Sequence, residues 1–249
     1  YNYIFDNKKV KFVASSTTKE SIPHPYLLLT GKQPEEASKL QGMKYLPEVA
    51  FAGRSNVGKS SLLNSLVNSK GKARVGDKPG LTQSINFYRV ANNLNFIDLP
   101  GYGFAFADDE KSRAWNDLVK WFLYDRFHHS KTLKRVFVLI DARHGLKSSD
   151  YDFLQYLSLN KIQNQIILTK NDLVPGDELA KKMYSLELAM KEDEITFRYT
   201  MPSILLASSK SNSGVHDLQR IICSFVEPQK LSDLKKKLDL HKAQNQVLF

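Results

Sequence analysis

Residues 48–61 read Glu48-Val49-Ala50-Phe51-Ala52-Gly53-Arg54-Ser55-Asn56-Val57-Gly58-Lys59-Ser60-Ser61. Glu48–Ala52 is a short, largely apolar run ending in glycine, which suits a buried strand. Gly53, Gly58, Lys59 and Ser60 then fit G-x-x-x-x-G-K-[ST], with a strand before and a helical pattern over Lys59–Asn68 after. The glycines let the backbone wrap close to a phosphate with its N–H groups inward. The start of the following helix adds positive potential. On this reading Arg54, Ser55, Asn56, Val57 and Ser61 share the cradle. Lys59 reaches the β- and γ-phosphates, and the Ser60 hydroxyl is a Mg²⁺ ligand. The loop alone serves ATP as well as GTP.

Further along, strands alternate with helices. Strands are expected at Ile85–Val90, Leu94–Asp98, Val136–Asp141, Gln165–Thr169 and Ser203–Ala207. Ala91-Asn92-Asn93 joins the first two as a hairpin. Helices are expected at Asp108–Phe127, from Ser149 onward, at Gly176–Glu192 and at Ser213–Val226. The fold class is therefore α/β: a mostly parallel six-stranded sheet with one antiparallel edge strand and helices on both faces. We divide the chain into an arm (1–46, irregular or partly stranded, with a helical turn near Glu35–Leu40), a core domain (47–227) and a basic tail (228–249). The tail is an amphipathic helix candidate over Leu231–Leu240.

Ligands bind such sheets at the C-terminal ends of the strands, and the polar motifs fall there. Asp98-Leu99-Pro100-Gly101 closes a strand. Asp98 is expected to hold Mg²⁺ through water, and the Gly101 N–H to contact the γ-phosphate. Between it and the P-loop lies Gly80-Leu81-Thr82, with Thr82 as the second hydroxyl ligand to Mg²⁺. Thr169-Lys170-Asn171-Asp172-Leu173 follows another strand. Asp172 can accept two hydrogen bonds from guanine, whereas adenine would leave a buried Asp unpaired. The Lys170 stem can cover the base plane. Thr169 stands where this motif usually has Asn, which keeps a hydroxyl and loses an amide. Ala207-Ser208-Ser209 suits a backbone contact to the guanine oxygen. The site set is thus Gly53–Ser61, Gly80, Leu81, Thr82, Asp98, Gly101, Thr169, Lys170, Asp172, Leu173 and Ala207–Ser209.

The 249 residues carry a net charge of +10, with 42% hydrophobic and 25% charged residues. No apolar run reaches the roughly 20 residues of a membrane span. Residues 1–47 and 228–249 each carry +3. A basic balance suits a polyanion such as RNA, and equally a plain solvated surface. A lone Cys223 among Ile221, Ile222 and Phe225 excludes an internal disulfide and reads as a buried hydrophobe. The chain opens on Tyr1 rather than Met, which we read as a processed or trimmed start, and the first 30 residues show no signal-peptide pattern.

Longer strings carry a resemblance. PEVAFAGRSNVGKSSLLNSL, KPGLTQSINFY, FIDLPGYGFA, IDARHGLKSSD and TKND, spanning about 46–226, resemble the EngB (YihA) family of Era-like GTPases. The resemblance implies a GTPase acting in large ribosomal subunit assembly, with rRNA and ribosomal proteins as partners. It further implies division defects when the protein is absent from bacteria, and Ser60 and Thr82 as Mg²⁺ ligands. The long arm, the basic tail and an enlarged 193–202 loop are departures. They fit an organellar member, mitochondrial or plastid, slightly better than a cytoplasmic bacterial one. A monomer is expected.

Lys59, Thr82, Gly101 and Asn56 are the candidate catalytic set. Ras-like switches place a water-orienting Gln after D-x-x-G; here it is Tyr102, whose side chain can instead point away. Slow intrinsic hydrolysis is therefore expected. Asn56 resembles the P-loop Asn of potassium-activated relatives and is the candidate K⁺ ligand. The aromatic segment Tyr102–Ala107 reads as a second switch, either docking on a partner or packing Phe104 and Phe106 on the core. His144 reads as structural, and His128-His129 as a helix end.

Overall fold

The computed structural model describes residues 4–5, 10–30, 44–68, 84–102 and 110–226. Seven strands form one sheet: β1 (Val10–Ser16), β2 (Glu48–Gly53), β3 (Ile85–Val90), β4 (Leu94–Asp98), β5 (Leu133–Asp141), β6 (Asn164–Thr169) and β7 (Leu205–Ala207). Their order is β1-β3-β4-β2-β5-β6-β7. Pairings from β4 through β7 are parallel, while β3 is antiparallel to both β4 and β1.

Strand periodicity splits the core in two, because successive side chains point to opposite faces. All six residues of β2 are buried. Val49 and Phe51 join Phe137 and Leu139 under helices α2 (Lys59–Leu66) and α7 (Val215–Cys223), with Leu62, Leu66, Leu218 and Ile222. Ala50 and Ala52 join Val136, Val138 and Ile140 on the other face. There they meet Phe122 of α3 (Glu110–Tyr124), Leu154 of α4 (Ser148–Leu159), Leu186 of α5 (Gly176–Glu192) and Phe197 of α6 (Glu194–Phe197). Cys223 is buried as expected, and burial pushes its thiol up to about 11.

The α/β class stands as read, and two details change. Among the described residues the sheet has seven strands rather than six, because the arm supplies β1. Consequently, among the described residues, β3 is the one antiparallel strand but not the edge. β1 was hard to see because only its two ends, Val10 and Ser16, are buried, so its side chains show no alternation. Ahead of it Ile4 and Phe5 join the core, with Phe5 tilted against Phe96 at 6.2 Å. Between β1 and β2 lies a short helix, α1 (Pro25–Thr30). Buried Arg126, in a π-helical turn (Asp125–His129) after α3, bonds the Pro23 carbonyl and lies 3.7 Å from Glu48. The 193–202 loop holds α6, capped where Asp193 accepts the Thr196 N–H at 3.0 Å.

The expected helical turn at 35–40, the tail helix at 231–240 and the aromatic segment 103–107 lie outside the described residues. Among the described residues no helix is long and apolar enough to cross a membrane.

Candidate functional site

The C-terminal ends of β2, β4, β5, β6 and β7 converge on one rim, and each brings one motif. At the end of β2 the chain turns through Arg54–Gly58 into α2. Two glycines there are required. A Cβ on Gly53 would lie 2.8 Å from both the Leu139 carbonyl and Val57 Cγ1, so the loop presses against β5. Gly58 has φ 97° at the start of α2, a backbone that side chains disfavour. Asn56, at φ 62°, is among the few non-glycine types that tolerate this region.

β4 ends at Asp98, whose carboxylate is bonded directly by the Lys59 amine; both groups are buried. Gly101 follows against the P-loop: a Cβ there would sit 2.8 Å from Ser55 Oγ. The phosphate-side residues Gly53–Ser61, Asp98 and Gly101 are thus brought together. Ser60 is half-buried in the first turn of α2. Gly80, Leu81 and Thr82 lie outside the described residues.

Tyr102 points away from this site. It is buried, stacked on Phe153 at 4.8 Å, and paired by a backbone bridge to Arg54. Burial, and then the Asp150 carboxylate, push its phenol well above 10. Arg54 Nε lies 3.3 Å from fully buried Asp150, which also accepts the Lys147 N–H at 2.8 Å and so caps α4.

β6 delivers Thr169–Leu173. The Thr169 hydroxyl donates to the Val57 carbonyl at 2.7 Å and approaches the Ile140 carbonyl at 3.3 Å. The hydroxyl that replaced the usual amide therefore ties this motif to the P-loop. Lys170, at φ 56°, donates its amine to the Asn56 carbonyl at 2.6 Å and pairs with Asp141 at 3.0 Å. Gly58, Ser61, Thr169, Lys170, Asp172, Leu173 and Ala207–Ser209 line one cleft of about 200 Å³, joined by Leu62 and Lys210. Asp172 is exposed at its rim rather than buried. Ser208 is buried, and its hydroxyl accepts the N–H groups of Lys210 and Ser211 at 3.2 and 3.1 Å, shaping the turn after β7.

Sequence reasoning missed Asp141. Its carboxylate is buried at the end of β5, beside Thr169 in register. Burial alone would raise it, but hydrogen bonds from Arg143, Lys170 and the Arg143 N–H prevail and hold it far below the usual carboxylate range. An aspartate closing an apolar strand beside the site was the available signal. His144 is exposed, and no metal-holding His, Cys, Asp and Glu cluster occurs among the described residues.

A P-loop, an aspartate at the end of the neighbouring strand and a lysine–aspartate cleft on one mostly parallel sheet define the P-loop GTPases. Residues 48–171 match the family model of the 50S ribosome-binding GTPases. The chain is 41% identical over 181 residues to the probable GTP-binding protein EngB of Rhodopseudomonas palustris, covering 72% of this chain and 80% of that protein. It is 44% identical to the Caulobacter vibrioides protein, covering 70% and 72%. For that of Sinorhizobium fredii the identity is 37%, covering 83% and 96%. A solved probable EngB superposes with a TM-score of 0.54 at 25% identity, over 72% of this chain and 97% of that one. An Era structure from Aquifex aeolicus shares the fold, with a TM-score of 0.58 at 21% identity, over 74% and 58%. The chain belongs to the EngB family of GTP-binding proteins.

Proposed function

We propose that this GTPase is a nucleotide-controlled switch in the assembly of a large ribosomal subunit. One observation carries the nucleotide-binding part of this reading: Thr169 and Lys170, beside the proposed base cleft, both bond P-loop carbonyls, at Val57 and Asn56. Base and phosphate binding are therefore coupled, and the switch itself is proposed for Gly101, which packs against Ser55 of the P-loop. The description of the matched family as ribosome-binding, and the chain's basic balance, support the ribosomal partner.

In this reading Asp172 accepts two guanine hydrogen bonds, Lys170 covers the base, and the Ala207–Ser209 turn meets the base edge. The Gly53–Ser61 backbone cradles the phosphates. Lys59 exchanges its bond to Asp98 for phosphate oxygens. Ser60, half-buried in the first turn of α2, and Asp98, buried beside Lys59, are hard oxygen donors that fit Mg²⁺, with Asp98 acting through water. Thr82 is proposed as the further hydroxyl ligand. The metal's role when bound is to neutralise charge on the phosphates. Gly101, packed against Ser55, is proposed to contact the γ-phosphate through its N–H.

Hydrolysis is proposed to be slow, on the order of 10⁻⁴–10⁻³ s⁻¹ without a partner, because buried Tyr102 cannot orient water. Asn56, exposed at the loop's crest, is the proposed K⁺ ligand; equal turnover in K⁺ and Na⁺ would contradict that role. The burial of Tyr102 also favours a second reading, a GTP-dependent scaffold that hydrolyses little.

Titration with labelled GTP, GDP and ATP, followed by co-sedimentation with purified large subunits, tests the proposal. Guanine selectivity and nucleotide-dependent pelleting are expected. Equal binding of ATP, or pelleting indifferent to nucleotide, would overturn it. GTP left intact after prolonged incubation with subunits would favour the scaffold.

A further inference from the structure

From the geometry we infer that Asp141 is a positioning residue for nucleotide affinity, acting through Lys170 to lock the base cleft onto the P-loop. The inference rests on the guanine reading of that cleft. Lys170 is a long flexible side chain in a left-handed backbone conformation, and by itself it would sample many rotamers. Its amine is held at two points: the Asn56 carbonyl on the P-loop, and the Asp141 carboxylate at 3.0 Å. The stem then passes over Gly58, where Lys170 Cε lies 3.7 Å from the site of a Cβ. A side chain fixed at its tip presents a fixed apolar wall to the base.

Asp141 is itself held on several sides. Arg143 grips it in a fork, Nε to Oδ1 at 3.0 Å and Nη2 to Oδ2 at 2.7 Å, and the Arg143 N–H adds a bond at 3.0 Å. Lys182 of α5 bonds the Arg143 carbonyl at 2.7 Å and pairs with Glu178 at 3.0 Å. The register of β5 against β6 sets Asp141 beside Thr169, one residue from Lys170. A chain of polar contacts thus runs from α5 through Arg143 and Asp141 to Lys170 and the P-loop. Asp141 belongs to neither the phosphate nor the base motif, and it does not line the cleft. Its effect is to remove ordering entropy from Lys170 before nucleotide arrives, the general route by which preorganisation raises affinity.

The test is a double-mutant cycle on GTP and GDP affinity with Asp141→Asn and Lys170→Ala. Asp141→Asn is expected to weaken both nucleotides about tenfold, with the single-turnover rate of bound GTP changed less than about twofold. In a Lys170→Ala background the same substitution is expected to have no further effect. Arg143→Ala, at a half-exposed side chain, is a milder variant that keeps the carboxylate; it is expected to weaken both nucleotides about threefold. Full affinity in folded Asp141→Asn, or an undiminished loss in the Lys170→Ala background, would overturn the inference. If Asp141→Asn does not fold, an Arg143→Ala effect that persists without Lys170 does the same. Wild-type protein that binds ATP as well as GTP would instead sink the guanine reading, so the two failures are separable.

Discussion

Thr169 shows how one atom can serve in place of a larger group. The motif usually offers an amide, yet the threonine hydroxyl reaches the Val57 carbonyl at 2.7 Å. Removing it leaves a buried carbonyl short of a donor, a loss of about 1 kcal/mol of stability. Thr169→Ala should therefore lower the urea unfolding midpoint, and Thr169→Ser should restore it. Asp141 makes a second prediction at this scale. Its folded-state value lies below the ordinary 3.8, so its stabilising contribution is complete above that value and is lost as pH falls through the folded one. Asp141→Asn should be less stable than wild type near neutrality, and the gap should close as pH drops below 3.8. Urea unfolding at a series of pH values measures it; a gap constant with pH would contradict the linkage.

At the scale of elements, junctions decide where the site residues stand. Gly214, at φ 69°, enters α7 so close to β7 that a Cβ would lie 1.7 Å from the Leu206 carbonyl. Neither strain nor space is relieved by a flexible neighbour, so Gly214→Ala should destabilise by about 3 kcal/mol or more in urea melts. The Tyr102 hydroxyl is buried beside Asp150 and makes no hydrogen bond. Tyr102→Phe should keep the Phe153 stack and change the GTP hydrolysis rate by less than about twofold. A large loss would return the phenol to the chemistry. Elements also explain what could be read in advance. The P-loop was legible because phosphate binding needs contiguous residues at fixed spacing. The apolar strands β2, β5 and β6 were legible because burial on both faces leaves no polar alternation to misread. Asp141 was not, since its role exists only through the adjacency of β5 and β6. Gly214 was not, since its need arises from a carbonyl eight residues earlier.

For the whole molecule, the C-terminal ends of the parallel strands share the rim that holds the cleft, while among the described residues the arm forms the far edge as β1. Net charge of +10 suits a nucleic-acid-rich partner. Association with large subunits should accordingly weaken as salt rises, because counterions released from phosphates drive such binding; salt-independent pelleting would argue for a protein contact instead. Guanine occupancy should govern that association through Asp172. The most direct test is co-sedimentation of wild type and Asp172→Asn with large subunits, in GTP, GDP and xanthosine triphosphate. Wild type should pellet in one guanine-nucleotide state and not the other. The variant should ignore GTP and respond to xanthosine triphosphate in the same way. A variant that still answers to GTP, or a wild type that pellets equally in GTP and GDP, would contradict the account.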